Sequence, residues 1–353
     1  MKKTTVLVVD DSAFMRKVIT DIISLEKDLH VIATARNGKE AIQKIKELKP
    51  DVVTLDIEMP IMDGLAALEK IMEQHPIPVV MLSSLTKESA DATLKALSLG
   101  AVDFIPKPEN IFKMHAEDMK KQLNEKIRTA AKVLVKKKYH AVRSPIVKKP
   151  SEILPSLSKK KGIKKIIAIG TSTGGPRALQ YVIPYLPKDI PASILIVQHM
   201  PAGFTKSLAE RLNNLSAIHV KEAEDGDVLL PGHAYIAPGN YHMKLTSVSD
   251  EYVVKLTQES PVLGLRPSVD VMMNSVAELG HKIPLIGVIM TGMGSDGAEG
   301  MKNIKNKNGL TIAQSEETCV VYGMPKSAID LGCIDEIVPL HDIASKIITL
   351  MEV

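Results

Sequence analysis

Two groups of residues have the types and spacing to do chemistry. The first is acidic. Asp10 and Asp11 close the apolar run Thr5–Val9, and Asp56 closes the run Val52–Leu55. Three carboxylates gathered at one point repel unless a cation sits among them, and oxygen donors suit a hard divalent ion such as Mg2+. Beside such an ion one carboxylate can attack a phosphoryl group while the metal neutralises the transferred charge. Lys107 is placed to balance phosphoryl oxygens, and Ser83 to donate a hydrogen bond to them. Taken singly, an Asp at a strand end is more often a cap or turn residue.

The second group is nucleophilic. Gly170-Thr171-Ser172-Thr173-Gly174 matches G-x-S-x-G, a sharp turn that exposes a serine ahead of a helix, whose dipole favours a developing anion. A Gly-rich turn of this kind can equally cradle a phosphate, although the Gly-Lys-Ser/Thr ending of a P-loop is absent. His199, one residue past the run Ile194–Val197 and Gln198, is the candidate base. Asp296, in Met290-Thr291-Gly292-Met293-Gly294-Ser295-Asp296-Gly297, is the candidate orienting carboxylate. The order Ser, His, Asp differs from the α/β-hydrolase order, but the constellation recurs on unrelated folds. His219, His233, His242, His281 and His341 read as surface or core residues.

Positioning these side chains requires sheets. The first block offers strands at Thr5–Val9, Val31–Ala35, Val52–Leu55, Val79–Leu82 and Asp103–Ile105, with helical patterns such as Ala41–Leu48 and Leu65–Met72 between them. Such alternation predicts an α/β fold, here a flavodoxin-like five-stranded parallel domain. An amphipathic pattern from Pro108 to Val135 closes the block. The second block offers strands at Ile166–Ile169, Ser193–Val197, Ile218–Ala223, Ala234–Ala237, Leu285–Met290 and Leu310–Ala313, and a hairpin pairing His242–Leu245 with Tyr252–Leu256. That predicts a doubly wound α/β domain with an antiparallel hairpin. Both chemical groups fall at carboxyl ends of strands, where open parallel sheets collect ligands. The expected domains are 1–125, a helical extension and basic linker over 126–162, and 163–353.

The net charge of +4 over 353 residues first suggests nucleic acid. Its distribution removes the suggestion: residues 132–165 carry a net +11, 1–131 carry −1 and 166–353 carry −6. Seven Tyr, four Phe and no Trp also leave few stacking platforms for bases. The strip with Pro145, Pro150 and Pro155 reads as a solvated tether, or alternatively as an arm for something acidic. No apolar stretch reaches the ~18 residues of a spanning helix, and the N-terminal run stops at Val9, too short for a signal-peptide core. A cytoplasmic protein with no membrane insertion is expected. Cys319 and Cys333 are expected as free thiols.

Asp10-Asp11, Asp56, Met59-Pro60, Asp63-Gly64, Ser83-Ser84 and Lys107-Pro108, in that order at strand ends, resemble the receiver domain of two-component response regulators over residues 1–125. The resemblance implies that Asp56 accepts a phosphoryl group from a histidine kinase. It implies that Asp10, Asp11 and Asp56 hold Mg2+, that Ser83 and Lys107 sense the phosphate, and that Phe104 is the aromatic switch residue. Ser83 and Phe104 stand where many receivers have Thr and Tyr.

In the second block, Thr171–Pro176, Gln198-His199-Met200-Pro201, Ala237-Pro238-Gly239, Arg266-Pro267-Ser268-Val269-Asp270 and Thr291–Gly297 resemble the chemotaxis protein-glutamate methylesterase catalytic domain. This implies hydrolysis of glutamate γ-methyl esters, and deamidation of glutamines, on methyl-accepting chemoreceptors. Ser172 would be the nucleophile, His199 the base, Asp296 its partner and the Met293 backbone an oxyanion donor, with no cofactor at this site. It also implies a chemotaxis histidine kinase as phosphodonor and an esterase restrained by its unphosphorylated receiver.

Overall fold

Short apolar runs and well-placed caps make the first half a repeating strand–helix chain. β1 (Thr4–Val9), β2 (Leu29–Ala35), β3 (Val52–Asp56), β4 (Val79–Ser83) and β5 (Asp103–Pro106) alternate with α1 (Ala13–Ser24), α2 (Gly38–Leu48), α3 (Gly64–Gln74) and α4 (Lys87–Leu99), and α5 (Glu117–Ala130) follows. The computed structural model describes residues 3–107, 117–133, 135 and 162–351. Ser12, Asn37, Asp63 and Thr86 each accept a hydrogen bond from the amide three residues on and so start α1 to α4. Such a cap contributes about 1 kcal/mol.

All pairings in the first sheet are parallel, in the order β2-β1-β3-β4-β5. This is the expected flavodoxin-like order, and its winding reverses between β1 and β3. β3 and β4 are buried along their whole length, as strands covered on both faces must be. α5 continues past residue 125. Arg128 Nε and Nη2 bond Asp28 at 2.7 and 2.8 Å, and Asn124 Nδ2 bonds Glu26 at 3.1 Å. The rest of the pattern expected from Pro108 and most of the basic strip lie outside the described residues.

The chain divides into two compact units, 1–144 and 145–353. The second contains β6 (Lys165–Thr171), α6 (Gly175–Leu179), β7 (Ala192–Gln198), α7 (Phe204–Leu215), β8 (His219–Glu222), β9 (His233–Ile236), β10 (His242–Val248), β11 (Glu251–Thr257), α8 (Val269–Glu278), β12 (Leu285–Ile289), α9 (Ala298–Asn306), β13 (Leu310–Gln314), α10 (Met324–Asp330), β14 (Glu336–Val338) and α11 (Ile343–Met351). Seven strands form one parallel sheet in the order β14-β13-β12-β6-β7-β9-β8, and β10-β11 form the separate antiparallel hairpin. β7 lies on one side of β6 and β12 on the other, so this sheet reverses its winding at β6.

Ile166 and Ala168 of β6, Leu195 and Val197 of β7, Met272 and Val276 of α8, Met301 of α9 and Met243 of β10 share one core. Each fully buried Ile, Leu, Val or Met side chain among them stabilises by roughly 1.5–3 kcal/mol. The expected strands all form, mostly a residue or two longer than their apolar runs. β14 is an addition: three residues before Pro339 are too few to show an alternating pattern. Cys319 and Cys333 are both free thiols. Among the described residues no helix is long and apolar enough to cross a membrane.

Candidate active site and phosphoacceptor pocket

In the first unit, three parallel strands deliver three side chains to one place. Asp10 follows β1, Asp56 ends β3 and Lys107 follows β5. Lys107 Nζ lies 2.8 Å from Asp10 Oδ2 and 2.6 Å from Asp56 Oδ2. Asp10, Asp11 and Asp56 each offer an oxygen within 4.8 Å of the others; the first and last are buried and Asp11 is exposed. Burial pushes the Asp56 carboxyl up to about 6, against the pull of Lys107 and with a push from Asp10. Burial also disfavours the Lys107 ammonium, but Asp56 and Asp10 outweigh it and hold the lysine above its usual range. One ammonium thus faces three carboxylates. The residual negative charge and the all-oxygen donor set fit a hard divalent cation.

Ser83 is brought to the same edge with its hydroxyl turned elsewhere. Ser83 Oγ accepts from Thr93 Oγ1 at 2.7 Å and lies 3.2 Å from the carbonyl oxygens of Ser84 and Ser89. The phosphate-sensing role implied for it requires that hydroxyl to rotate. Phe104 is buried, and Lys126 Nζ stands 5.2 Å from its ring centroid and 2.6 Å from its carbonyl oxygen. Lys126, one helical face within an amphipathic stretch, had no sequence signal to single it out.

In the second unit, the ends of β6, β7 and β12 are stitched together. Ser172 N–H donates to Thr291 O at 3.0 Å, and His199 N–H donates to Thr171 O at 3.2 Å. Gln198 Nε2 reaches Ser172 O at 3.0 Å and His199 O at 3.2 Å, tying the two backbones together. Gly174 has φ of +80°, a left-handed turn that only glycine makes without strain. α6 behind it has only five residues, too short for the macrodipole expected behind Ser172. Stabilisation of an anion there falls to individual N–H groups instead.

His199 and Asp296 form a direct pair, Nε2 to Oδ2 at 2.7 Å. Asp296 is buried and accepts three further hydrogen bonds: Ser268 Oγ at 2.8 Å, Val269 N–H at 2.7 Å and Asp270 N–H at 3.0 Å. Burial alone would raise its pKa; the His199 hydrogen bond, with the Asp270 and Val269 amides, more than offsets this and holds it below the usual carboxylate range. An ionised carboxylate only accepts, so Nε2 carries the ring proton and Nδ1 is left with an open lone pair.

Among the described residues no hydrogen bond joins the Ser172 hydroxyl to the His199 ring. Catalytic hydrogen bonds are often long before substrate binds. A Cβ placed on Gly292 would fall 2.8 Å from Ser172 Cβ, so the backbone leading into Met293 runs against the Ser172 side chain.

Sequence reasoning named Ser268 and Gln198 only within motifs and His242 only as a surface or core residue, and gave none of them a task. Ser268 had a signal, a serine just before an apolar helical pattern. For Gln198 and His242 no spacing or pattern shows the task, because only tertiary contacts define it.

A family model described as CheB methylesterase matches residues 167–347, and one described as response regulator receiver domain matches residues 6–117. A curated protein from Halalkalibacterium halodurans named protein-glutamate methylesterase/protein-glutamine glutaminase is 51% identical over 343 residues, covering 97% of each chain. One of the same name from Pyrococcus horikoshii is 47% identical over 354 residues, covering 100% of this chain and 95% of its own. The crystal structure of the Thermotoga maritima CheB methylesterase catalytic domain is similar to 54% of this chain and 99% of its own, with 47% identity and a TM-score of 0.52.

Proposed function

The chain belongs to the CheB methylesterase family, and on that premise we propose that it hydrolyses glutamate γ-methyl esters of methyl-accepting chemoreceptors through Ser172, His199 and Asp296. The observation that carries this reading is the 2.7 Å bond from His199 Nε2 to a buried, ionised Asp296, next to a strand-end serine. A phosphate cradle, the other use of a Gly-rich turn, has no need of an imidazole held by a carboxylate.

Ser172 Oγ attacks the ester carbonyl and its proton passes to His199 Nδ1. The tetrahedral intermediate collapses, the carbonyl–methoxy bond breaks, and methanol leaves with that proton. Water, deprotonated by the same nitrogen, then attacks the acyl-serine and frees the glutamate carboxylate and the serine. A glutamine amide would follow the same path with ammonia as leaving group. Asp296 stabilises the imidazolium at each stage. The Met293 N–H is the oxyanion donor in this reading, supported by the close approach of Gly292 to Ser172. One such donor contributes ~2.7–4 kcal/mol where it has been measured. The reading calls for no cofactor at this site.

The receiver, residues 1–125 in this reading, takes a phosphoryl group on Asp56 from a chemotaxis histidine kinase. Asp10, Asp11 and Asp56 would hold Mg2+, which when bound neutralises charge on the transferred group. Lys107 then exchanges its Asp10 and Asp56 contacts for phosphoryl oxygens, Ser83 rotates toward them, and Phe104 repacks. The esterase, residues 163–353, is restrained until that happens, and a coupling of ~1–3 kcal/mol suffices for a clear change in rate. Residues 126–162 serve as helix end and basic tether. The substrate helices and the kinase of such a system meet the enzyme in the cytoplasm.

The test is methanol release from methylated receptor membranes, with and without acetyl phosphate as phosphodonor. The reading expects stimulation by the phosphodonor and complete loss in Ser172→Ala. Methanol release retained in Ser172→Ala would overturn the nucleophile assignment.

A further inference from the structure

The hydrogen bonds behind the His199–Asp296 pair continue inward through residues with no task so far. Ser268 Oγ donates to Asp296 Oδ1 at 2.8 Å and accepts from Val271 N–H at 3.3 Å, so its one proton is committed to Asp296. Ser268 N–H in turn donates to His242 Nδ1 at 3.2 Å. His242 Nε2 lies 3.2 Å from the Ser260 carbonyl oxygen, which can only accept. The proton therefore sits on Nε2, and Nδ1 is a bare lone pair. His242 opens β10 and is fully buried. His242, Ser268, Asp296 and His199 thus form one connected run in which Ser268 donates both ways, by its backbone N–H to His242 Nδ1 and by its hydroxyl to Asp296.

We propose that His242 is a positioning residue for the ester hydrolysis. By accepting the Ser268 N–H it fixes the first residue of the α8 cap, and through it the three α8 donors that hold Asp296 against His199. The proposal rests on the reading of Ser172, His199 and Asp296 as the catalytic set. An apolar side chain of equal size would fill the space but would leave the Ser268 amide without an acceptor in a buried site. Ser268 would then be free to turn away from Asp296, and the His199 ring would lose its fixed orientation. The chemistry needed at position 242 is a buried acceptor at the place of Nδ1, which asparagine can supply through Oδ1. Glutamine carries its polar atoms further out, at the place of Nε2, and cannot.

The test uses the full chain with acetyl phosphate in every arm, methylated receptor membranes as substrate, and the variants His242→Gln and His242→Asn. His242→Gln is expected to lower kcat about tenfold, the scale of one lost buried hydrogen bond, with KM within about twofold of the parent. His242→Asn is expected to recover most of that loss. The downfield proton resonance of the His199 ring N–H should move in the Gln variant and return in the Asn variant. Equal loss in both variants, or an unmoved resonance, overturns the proposal, as does a lower melting midpoint with unchanged kcat.

A measurement on the parent protein covers the case in which a variant fails to fold. With 15N label in backbone and histidine rings, a scalar coupling across the hydrogen bond from the Ser268 amide nitrogen to His242 Nδ1 is expected. Its absence overturns the proposal. Ser172→Ala separates the two levels: residual methanol release there sinks the catalytic reading together with this one. A dead Ser172→Ala beside unaffected His242 variants sinks this one alone.

Discussion

Asp296 Oδ2 accepts from both His199 Nε2 and the Val269 amide at 2.7 Å, so the carboxylate that holds the His199 ring is itself held by the first turn of α8. Four donors converge on its two oxygens, counting Ser268 Oγ and the Asp270 amide. An amide at this position must turn its NH2 toward at least one of those donors. Asp296→Asn is therefore expected to lower kcat for methanol release by roughly 10³–10⁴. A loss smaller than tenfold would show that the pair does not orient the base.

Asp270, next along α8, carries the opposite electrostatic sign of perturbation. Burial pushes its carboxyl from 3.8 up to about 6, against the Gly300 amide that binds it and with help from neighbouring Asp296. The folded protein therefore binds a proton between those values that the unfolded chain has released. The stability this group contributes is complete below 3.8 and is lost as pH rises through about 6. Asp270→Asn keeps an oxygen for the Gly300 N–H, 2.7 Å away, and carries no charge. Its melting midpoint should exceed the parent's by about 2–4 °C near neutral pH and match it in acid. A midpoint below the parent's at neutral pH would contradict this.

Asp56 poses the same problem in the first unit, where burial raises it to about 6 beside Asp10. In EDTA at neutral pH, Asp56→Asn should melt above the parent, because a buried charge has gone. Added Mg2+ should raise the parent's midpoint and raise the variant's less. The same variant should lose the stimulation of methanol release by acetyl phosphate. Stimulation that survives in Asp56→Asn would place the phosphoacceptor elsewhere.

Residues 163–353, the proposed esterase, take in the core and the seven-stranded sheet of the second unit. Expressed alone, they should hydrolyse receptor ester faster than the unphosphorylated full chain, by about 5- to 150-fold for a coupling of ordinary size. Equal rates would remove the restraint by the receiver from the account.

The strands were legible because a parallel sheet buried on both faces needs short, nearly unbroken apolar runs, as at Val52–Leu55 and Ile166–Ile169. Asp10, Asp56, Ser172 and His199 were legible for a related reason: each sits just where such a run stops. Helix length was less legible. The pattern behind Ser172 reads as a helix, yet α6 spans only Gly175–Leu179 and a 3-10 turn follows at Ile183–Tyr185. The turn of the Ser83 hydroxyl left no trace in sequence either, since a hydroxyl takes whichever partners the neighbouring helix offers, here a donor in Thr93 Oγ1 and an acceptor in the Ser89 carbonyl.

The sequence by itself determined two α/β units, the chemical groups at their strand ends and the basic strip that separates the two blocks in the chain, since charge and hydrophobic spacing are properties of the chain. The tertiary structure alone decided which nitrogen of His199 meets Asp296, and that Ser268 and His242 stand behind it. Those bonds join β7, β10, α8 and the loop after β12. Residues 199 and 296 become neighbours only when the winding of the sheet brings the ends of β7 and β12 to either side of β6.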